Sequence, residues 1–200
     1  KNIAIELLKK LLAEKVTIYQ KTNLVQAEKF SDLLNRALSN YLKGLLTNEE
    51  VIQELLKLAA EISESENQGN ELGLTAEEKS FYDALTKPRA VQDIYTNEQL
   101  VAMTKELTDA LRKNRTIDWQ KKESARAGMR RMIKRLLKKY KYPPEEAENA
   151  LETVIHQCEQ WSDNDSNEYS INESTQKYNF QQSYYSIAAD EIHEGYNKKL

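Results

Sequence analysis

Three observations predict an all-α fold of about seven helices with a polar, Tyr-rich C-terminal tail. Apolar residues recur at three- and four-residue steps along most of the chain. Three copies of the S/T-x-x-E/Q capping pattern punctuate it. Only five Gly and three Pro occur in 200 residues that are 40% hydrophobic and 30% charged, a composition poor in turns and rich in helix formers.

The first helix follows from Ile3, Leu7, Leu8, Leu11, Leu12, Ile18 and Tyr19, read as one stripe through about Gln20. A second, from about Asn23 to Lys43, carries Phe30, Leu34, Leu38 and Tyr41, with Gly44 placed for a left-handed C-cap. Thr47 with Glu50 opens a third helix through roughly Glu64, Thr75 with Glu78 a shorter one through Leu85, and Thr96 with Gln99 one through Leu111. Pro88 should stop the fourth, leaving Arg89 to Tyr95 as a turn or connector. A long helix is predicted from about Ile117 to Tyr140. Tyr142, Pro143 and Pro144 end it and start the last helix, which runs to about Trp161.

The polar, glycine-containing SESENQGNELGL reads as a surface loop, which divides a helical segment, 1–70, from a second helical module, 71–161. Residues 162–200 lack a sustained apolar face and read as an irregular tail that could close on one short helix. The chain starts at Lys1 within a helical pattern, which predicts a fragment of a longer protein.

Cys158 is the single cysteine, so no internal disulfide can form, and a reducing, cytoplasmic setting is expected. No apolar run reaches the roughly 20 residues of a membrane span. Glu152 and His156 stand four apart, a spacing compatible with metal ligands, but one pair makes no site; His156 reads as a partly buried structural histidine and His193 as incidental. No phosphate-binding glycine loop, GxSxG or HExxH occurs, so no catalytic residue, cofactor or metal is expected within the fragment.

Charge is the feature that stands out. Between Arg112 and Lys141 thirteen basic residues face two acidic ones, a local +11 in a chain of net −3, so the remainder carries −14. Met129, Met132, Ile133, Leu136, Leu137 and Tyr140 form one apolar stripe there. Arg126, Arg130, Lys134 and Lys138 form one basic row, and Arg131, Arg135 and Lys139 a second. Such a face can be solvated or paired with Glu145, Glu146, Glu148, Glu152 and Glu159 of the next helix, can contact phosphates, or can dock a protein.

Residues Phe81 to Trp161 resemble the C-terminal helical region of the restriction (motor and endonuclease) subunit of type I restriction-modification enzymes. The resemblance rests on Asp118 and Trp119, the KESARA element from Lys122 to Ala127, the basic helix from Arg130 to Lys139, and the turn from Tyr142 to Pro144. It implies a parent that is an ATP- and Mg-dependent DNA translocase and site-specific nuclease. The motifs of those upstream domains are not in this chain. For this part it implies a non-catalytic module joining the motor to the methyltransferase and specificity subunits, with a duplex-DNA-backbone contact as the alternative. The candidate partner- or DNA-binding residues are Trp119, Lys122, Arg126, Arg130, Arg131, Lys134, Arg135 and Lys138, with Trp119 either an anchor or a core residue.

Overall fold

The computed structural model describes residues 3–115 and 119–161. The Tyr-rich tail, His193 and Asp118 lie outside the described residues, which are otherwise helical and joined by short connections. The elements are α1 (Ile3–Thr22), α2 (Leu24–Leu42), α3 (Asn48–Glu71), α4 (Ala76–Thr86), α5 (Arg89–Ile94), α6 (Asn97–Asn114), a 3-10 turn (Trp119–Lys121), α7 (Glu123–Lys139) and α8 (144–161).

The helix starts obey their sequence signals. Thr47, Thr75 and Thr96 each accept a bond from the backbone N–H three residues on, and Glu50, Glu78 and Gln99 each accept one from the capping threonine's own N–H. Asn23 caps α2 by accepting from Gln26 N–H at 3.1 Å. Gly44, at φ +73°, follows α2 as the left-handed residue the sequence suggests. At the end of α7, Lys141 takes that conformation, and Tyr142 N–H reaches back to Leu137 C=O at 2.9 Å. This turn seats the buried Tyr142, whose hydroxyl donates to Leu85 C=O at 2.6 Å.

Three boundaries depart from the sequence reading. First, α3 does not stop near Glu64 but continues through most of the predicted loop to Glu71, and the stop comes at Gly73, φ +62°. Its inward stripe passes from Leu55, Leu58 and Ile62 to the small residues Ser65 and Gly69, so the hydrophobic period fades while the helix goes on. Gly69 is buried against α4: a Cβ there would lie 3.5 Å from the Lys79 side chain. Second, the predicted connector after Pro88 holds the short helix α5, since the fixed φ of proline suits the entry to a helical turn and Val91 is wholly buried. Third, the helix predicted from Ile117 begins only at Glu123. Lys122 before it is extended, and Trp119 turns into the interior within the 3-10 turn.

Two apolar clusters result. One is built by α1, α2 and α3 around Phe30, Leu34, Val51 and Leu55; the other is built by α4 to α8 around Phe81, Leu107, Trp119, Ile133 and Leu151. Helix α4 lies at the centre: the eight residues Lys79 to Thr86 are all buried, and α4 packs on α1, α2, α5 and α6.

Polar contacts seal the seam between the clusters. The Lys79 ammonium pairs with the Asp83 carboxylate one turn along α4, and both side chains are more than nine-tenths covered. Asp83 also accepts from Asn23 at 2.8 Å and Gln26 at 3.0 Å, both on the α2 side. From α8, Gln157 accepts from Leu24 N–H at 2.8 Å and donates to Thr22 C=O at 2.9 Å, closing the joint between α1 and α2. Within the second cluster, Trp161 of α8 donates to Ser80 of α4 at 2.9 Å.

A buried ion loses far more by losing its partner than the pair gains by forming. Asp83→Leu is therefore expected to cost about 3–5 kcal/mol, read as a lower urea midpoint. Lys79→Met added to Asp83→Leu should restore part of that loss. A double variant no more stable than the single one would show that the stranded lysine charge is not the source of the cost.

Candidate functional site

Helix α7 turns Met129, Ile133, Leu136 and Leu137 into the core, which leaves its cations on the remaining surface. The structure divides them. Arg126, Arg130 and Lys134, each one turn beyond the last, meet Glu159, Glu152 and Glu148 of α8 in reverse order. The Arg126–Glu159 and Lys134–Glu148 separations are 2.9 and 3.1 Å, and Arg130 grips Glu152 with both terminal nitrogens. The result is an antiparallel ladder of three rungs. On the opposite flank Lys139 donates to both carboxylate oxygens of Glu106 on α6, at 2.6 and 2.8 Å, and Tyr140 hydroxyl donates to the same group at 2.7 Å.

Arg131, Arg135 and Lys138 are exposed and form no ion pair with any described residue. They sit at i, i+4 and i+7, one line along the face of α7 turned away from its core. Lys122 is exposed at the N-cap of α7. Trp119 is 1% exposed, so it supports the core and offers no surface anchor. Of the eight candidates, three are therefore engaged with α8, one is buried, one stands at the helix entry, and three form a free basic line.

The ladder leaves an electrostatic signature. Hydrogen bonding from Arg130, then the charges of Arg130, His156 and Arg126, hold the Glu152 carboxyl below the usual glutamate range. Hydrogen bonds from Lys139 and Tyr140 do the same to Glu106. His156 itself is exposed, contrary to the partly buried position expected, because α8 turns Val154, Ile155, Gln157 and Cys158 inward instead. Among the described residues no group of three or more His, Cys, Asp or Glu is arranged to hold a metal.

A second surface feature was merged in the sequence reading. The apolar residues of α1 do not make one stripe but two. Ile5, Leu12 and Val16 face the core, while Ile3, Leu7, Leu11 and Ile18 lie on the opposite face, 83%, 56%, 50% and 56% exposed. Adjacent pairs such as Leu7–Leu8 and Leu11–Leu12 blur the two, since successive residues differ by only about 100° around the axis. The buried polar residues Asn23, Lys79, Asp83 and Gln157 also escaped the sequence reading. The one available signal was Lys79 and Asp83 standing four apart on a helix otherwise carrying Phe81, Tyr82 and Leu85.

An all-helical bundle whose charge is concentrated on one helix, with an acidic helix set against it, is the class of module defined so far. Its sequence carries a family with it. The profile of the family described as type I restriction enzyme HindI endonuclease subunit-like, C-terminal, matches residues 1–164, and the chain belongs to that family. The chain is 39% identical over 160 residues to the type I restriction enzyme HindI endonuclease subunit of Haemophilus influenzae, covering 80% of this chain and 15% of that protein. It is 30% identical over 140 residues to a protein of Methanocaldococcus jannaschii provisionally described as the type I restriction enzyme MjaIXP endonuclease subunit, covering 70% of this chain and 13% of that one. The chain thus spans less than a sixth of each relative's length. No solved structure matches it. Among the described residues no helix is long and apolar enough to cross a membrane.

The depressed Glu152 and Glu106 carboxyls contribute stability that is present above the ordinary glutamate pKa of about 4.3 and is lost as pH falls through their lower folded values. The Arg130–Glu152 rung is partly exposed, so solvent screening limits it to about 0.2–1 kcal/mol. Glu152→Gln is expected to lower the urea midpoint at pH 7 by a corresponding amount and to flatten its decline between pH 5 and pH 3. A decline as steep as that of the native chain would remove the ladder from the acid response.

Proposed function

We propose that this region is a non-catalytic assembly module of a type I restriction endonuclease subunit, joining that subunit to the methyltransferase and specificity subunits of the enzyme. The whole subunit, on this reading, is an ATP- and Mg-dependent DNA translocase and nuclease whose catalytic centres lie in other regions of the polypeptide.

The observation that supports this reading is the outward face of α1. Four large apolar side chains, Ile3, Leu7, Leu11 and Ile18, line about 22 Å of a helix whose other face is already packed. Glu14 stands in the same line between Leu11 and Ile18, and the uninterrupted part of the row, Ile3, Leu7 and Leu11, suits burial against another protein. Charged side chains flank it, among them Glu6, Lys10 and Lys15, giving an apolar centre and a polar rim of the kind a subunit interface has. The basic face of α7 contributes less to docking than its composition suggests, because Arg126, Arg130 and Lys134 are committed to α8. A second reading, a module that holds duplex DNA near the motor by its backbone, draws on Arg131, Arg135 and Lys138, the cations that α8 leaves over.

Leu7→Glu with Leu11→Glu tests the assembly reading. Both positions are half exposed, so the helical circular dichroism and thermal midpoint should stay close to those of the native chain. Co-elution with the purified methyltransferase–specificity complex on size exclusion should be lost. Undiminished co-elution of the folded variant would exclude the α1 face as the docking surface.

A further inference from the structure

The geometry points to a phosphate-backbone contact for duplex DNA formed by Arg131, Arg135 and Lys138, the line of cations on the outer face of α7. This deepens the DNA reading above and rests on it; the α1 docking face is a separate matter.

Pairing within α7 is selective. The helix carries seven cations, and four of them, Arg126, Arg130, Lys134 and Lys139, are matched by Glu159, Glu152, Glu148 and Glu106. The other three share one face and have no carboxylate among the described residues, in a chain with more acidic than basic residues overall. The excess positive charge of α7 is thereby concentrated on a single line.

The dimensions suit a polyanion. Seven residues at the rise of an α-helix span about 10 Å. One strand of duplex DNA presents a charge about every 3.4 Å of axis, so the three side chains can meet about three phosphates.

The chemistry of the face disfavours an ordinary protein interface. No large exposed hydrophobic residue lies on α7. Toward its N-terminus the same face carries only Ser124, Ala127 and Gly128, and a Cβ at Gly128 would meet nothing within 4 Å. A protein interface normally has an apolar centre, whereas backbone recognition of DNA needs cations and clearance. Contacts of this kind carry no sequence information, so the line would hold duplex of any sequence.

The test uses the full 200-residue chain, a short fluorescent duplex of arbitrary sequence, and anisotropy titrations between 50 and 200 mM salt. The native chain is expected to bind, with log affinity falling against log salt at a slope of about −3, from about 0.9 per phosphate contacted. Arg131→Gln, Arg135→Gln and Lys138→Gln combined should leave the thermal midpoint in place, weaken binding at 50 mM salt by about tenfold or more, and bring the slope toward zero. Arg130→Gln, which alters a paired cation on the same helix, should leave the slope unchanged. No duplex binding at 50 mM salt would overturn the DNA reading and this contact together. Equal binding and slope for the native chain and the triple variant would overturn the contact alone and leave the DNA reading to another surface. A triple variant that binds duplex normally but no longer joins the methyltransferase–specificity complex would overturn the contact by giving the line to a protein partner.

Discussion

The fold turns on a carboxylate that water hardly reaches. Asp83 sits on α4, the helix buried along eight successive residues, and receives Lys79 from its own helix together with Asn23 and Gln26 from the start of α2. Two apolar clusters that could slide over a greasy boundary are held in one register by directional bonds, because each misalignment would strand a donor, an acceptor or a charge. Gln157 adds the same kind of fixing from α8. Hydrophobic burial supplies the drive to collapse, and this polar seam selects the arrangement.

Charge plays a different part at the surface. The rungs between α7 and α8 are mostly solvated and individually weak, so their main effect is orientation: basic residues ascending α7 meet acidic residues descending α8 only if the two helices run antiparallel with the observed stagger. The ladder also sets what is left over. By consuming the cations nearest α8, and with Lys139 held by Glu106 of α6, it reduces a broad basic face opposite the apolar stripe of α7 to a single free line of charge.

Much of this architecture is written in local sequence. Capping boxes at Thr47, Thr75 and Thr96, the left-handed position at Gly44 and the turn at Tyr142 to Pro144 are short-range devices, and each works where its residues stand. The antiparallel pairing of α7 with α8 was legible as one option, since both charged rows show in the spacing, but the choice of partners depends on three-dimensional stagger. The far end of α3 was hidden because small residues, Ser65 and Gly69, continue a buried stripe without a hydrophobic signal. The double face of α1 was hidden by the opposite circumstance, an excess of apolar residues. Asp83, Asn23 and Gln157 were illegible for a general reason: a polar residue reads as surface until its partners, often more than fifty positions away, are known.

The clasp that Gln157 places on the α1–α2 joint also has a meaning in time. Its two partners, Leu24 N–H and Thr22 C=O, lie 133 and 135 residues upstream. At a synthesis rate of about 5–20 residues per second, they leave the ribosome roughly 7–27 s before the side chain that will bind them. The apolar cluster of α1, α2 and α3 draws on those helices alone and can close during that interval. The bonds of Gln157 cannot form until α8 emerges, whereas Asp83 of α4 can reach Asn23 and Gln26 well before that. The N-terminal helices can thus collapse before the side chain that clasps the α1–α2 joint has been synthesised.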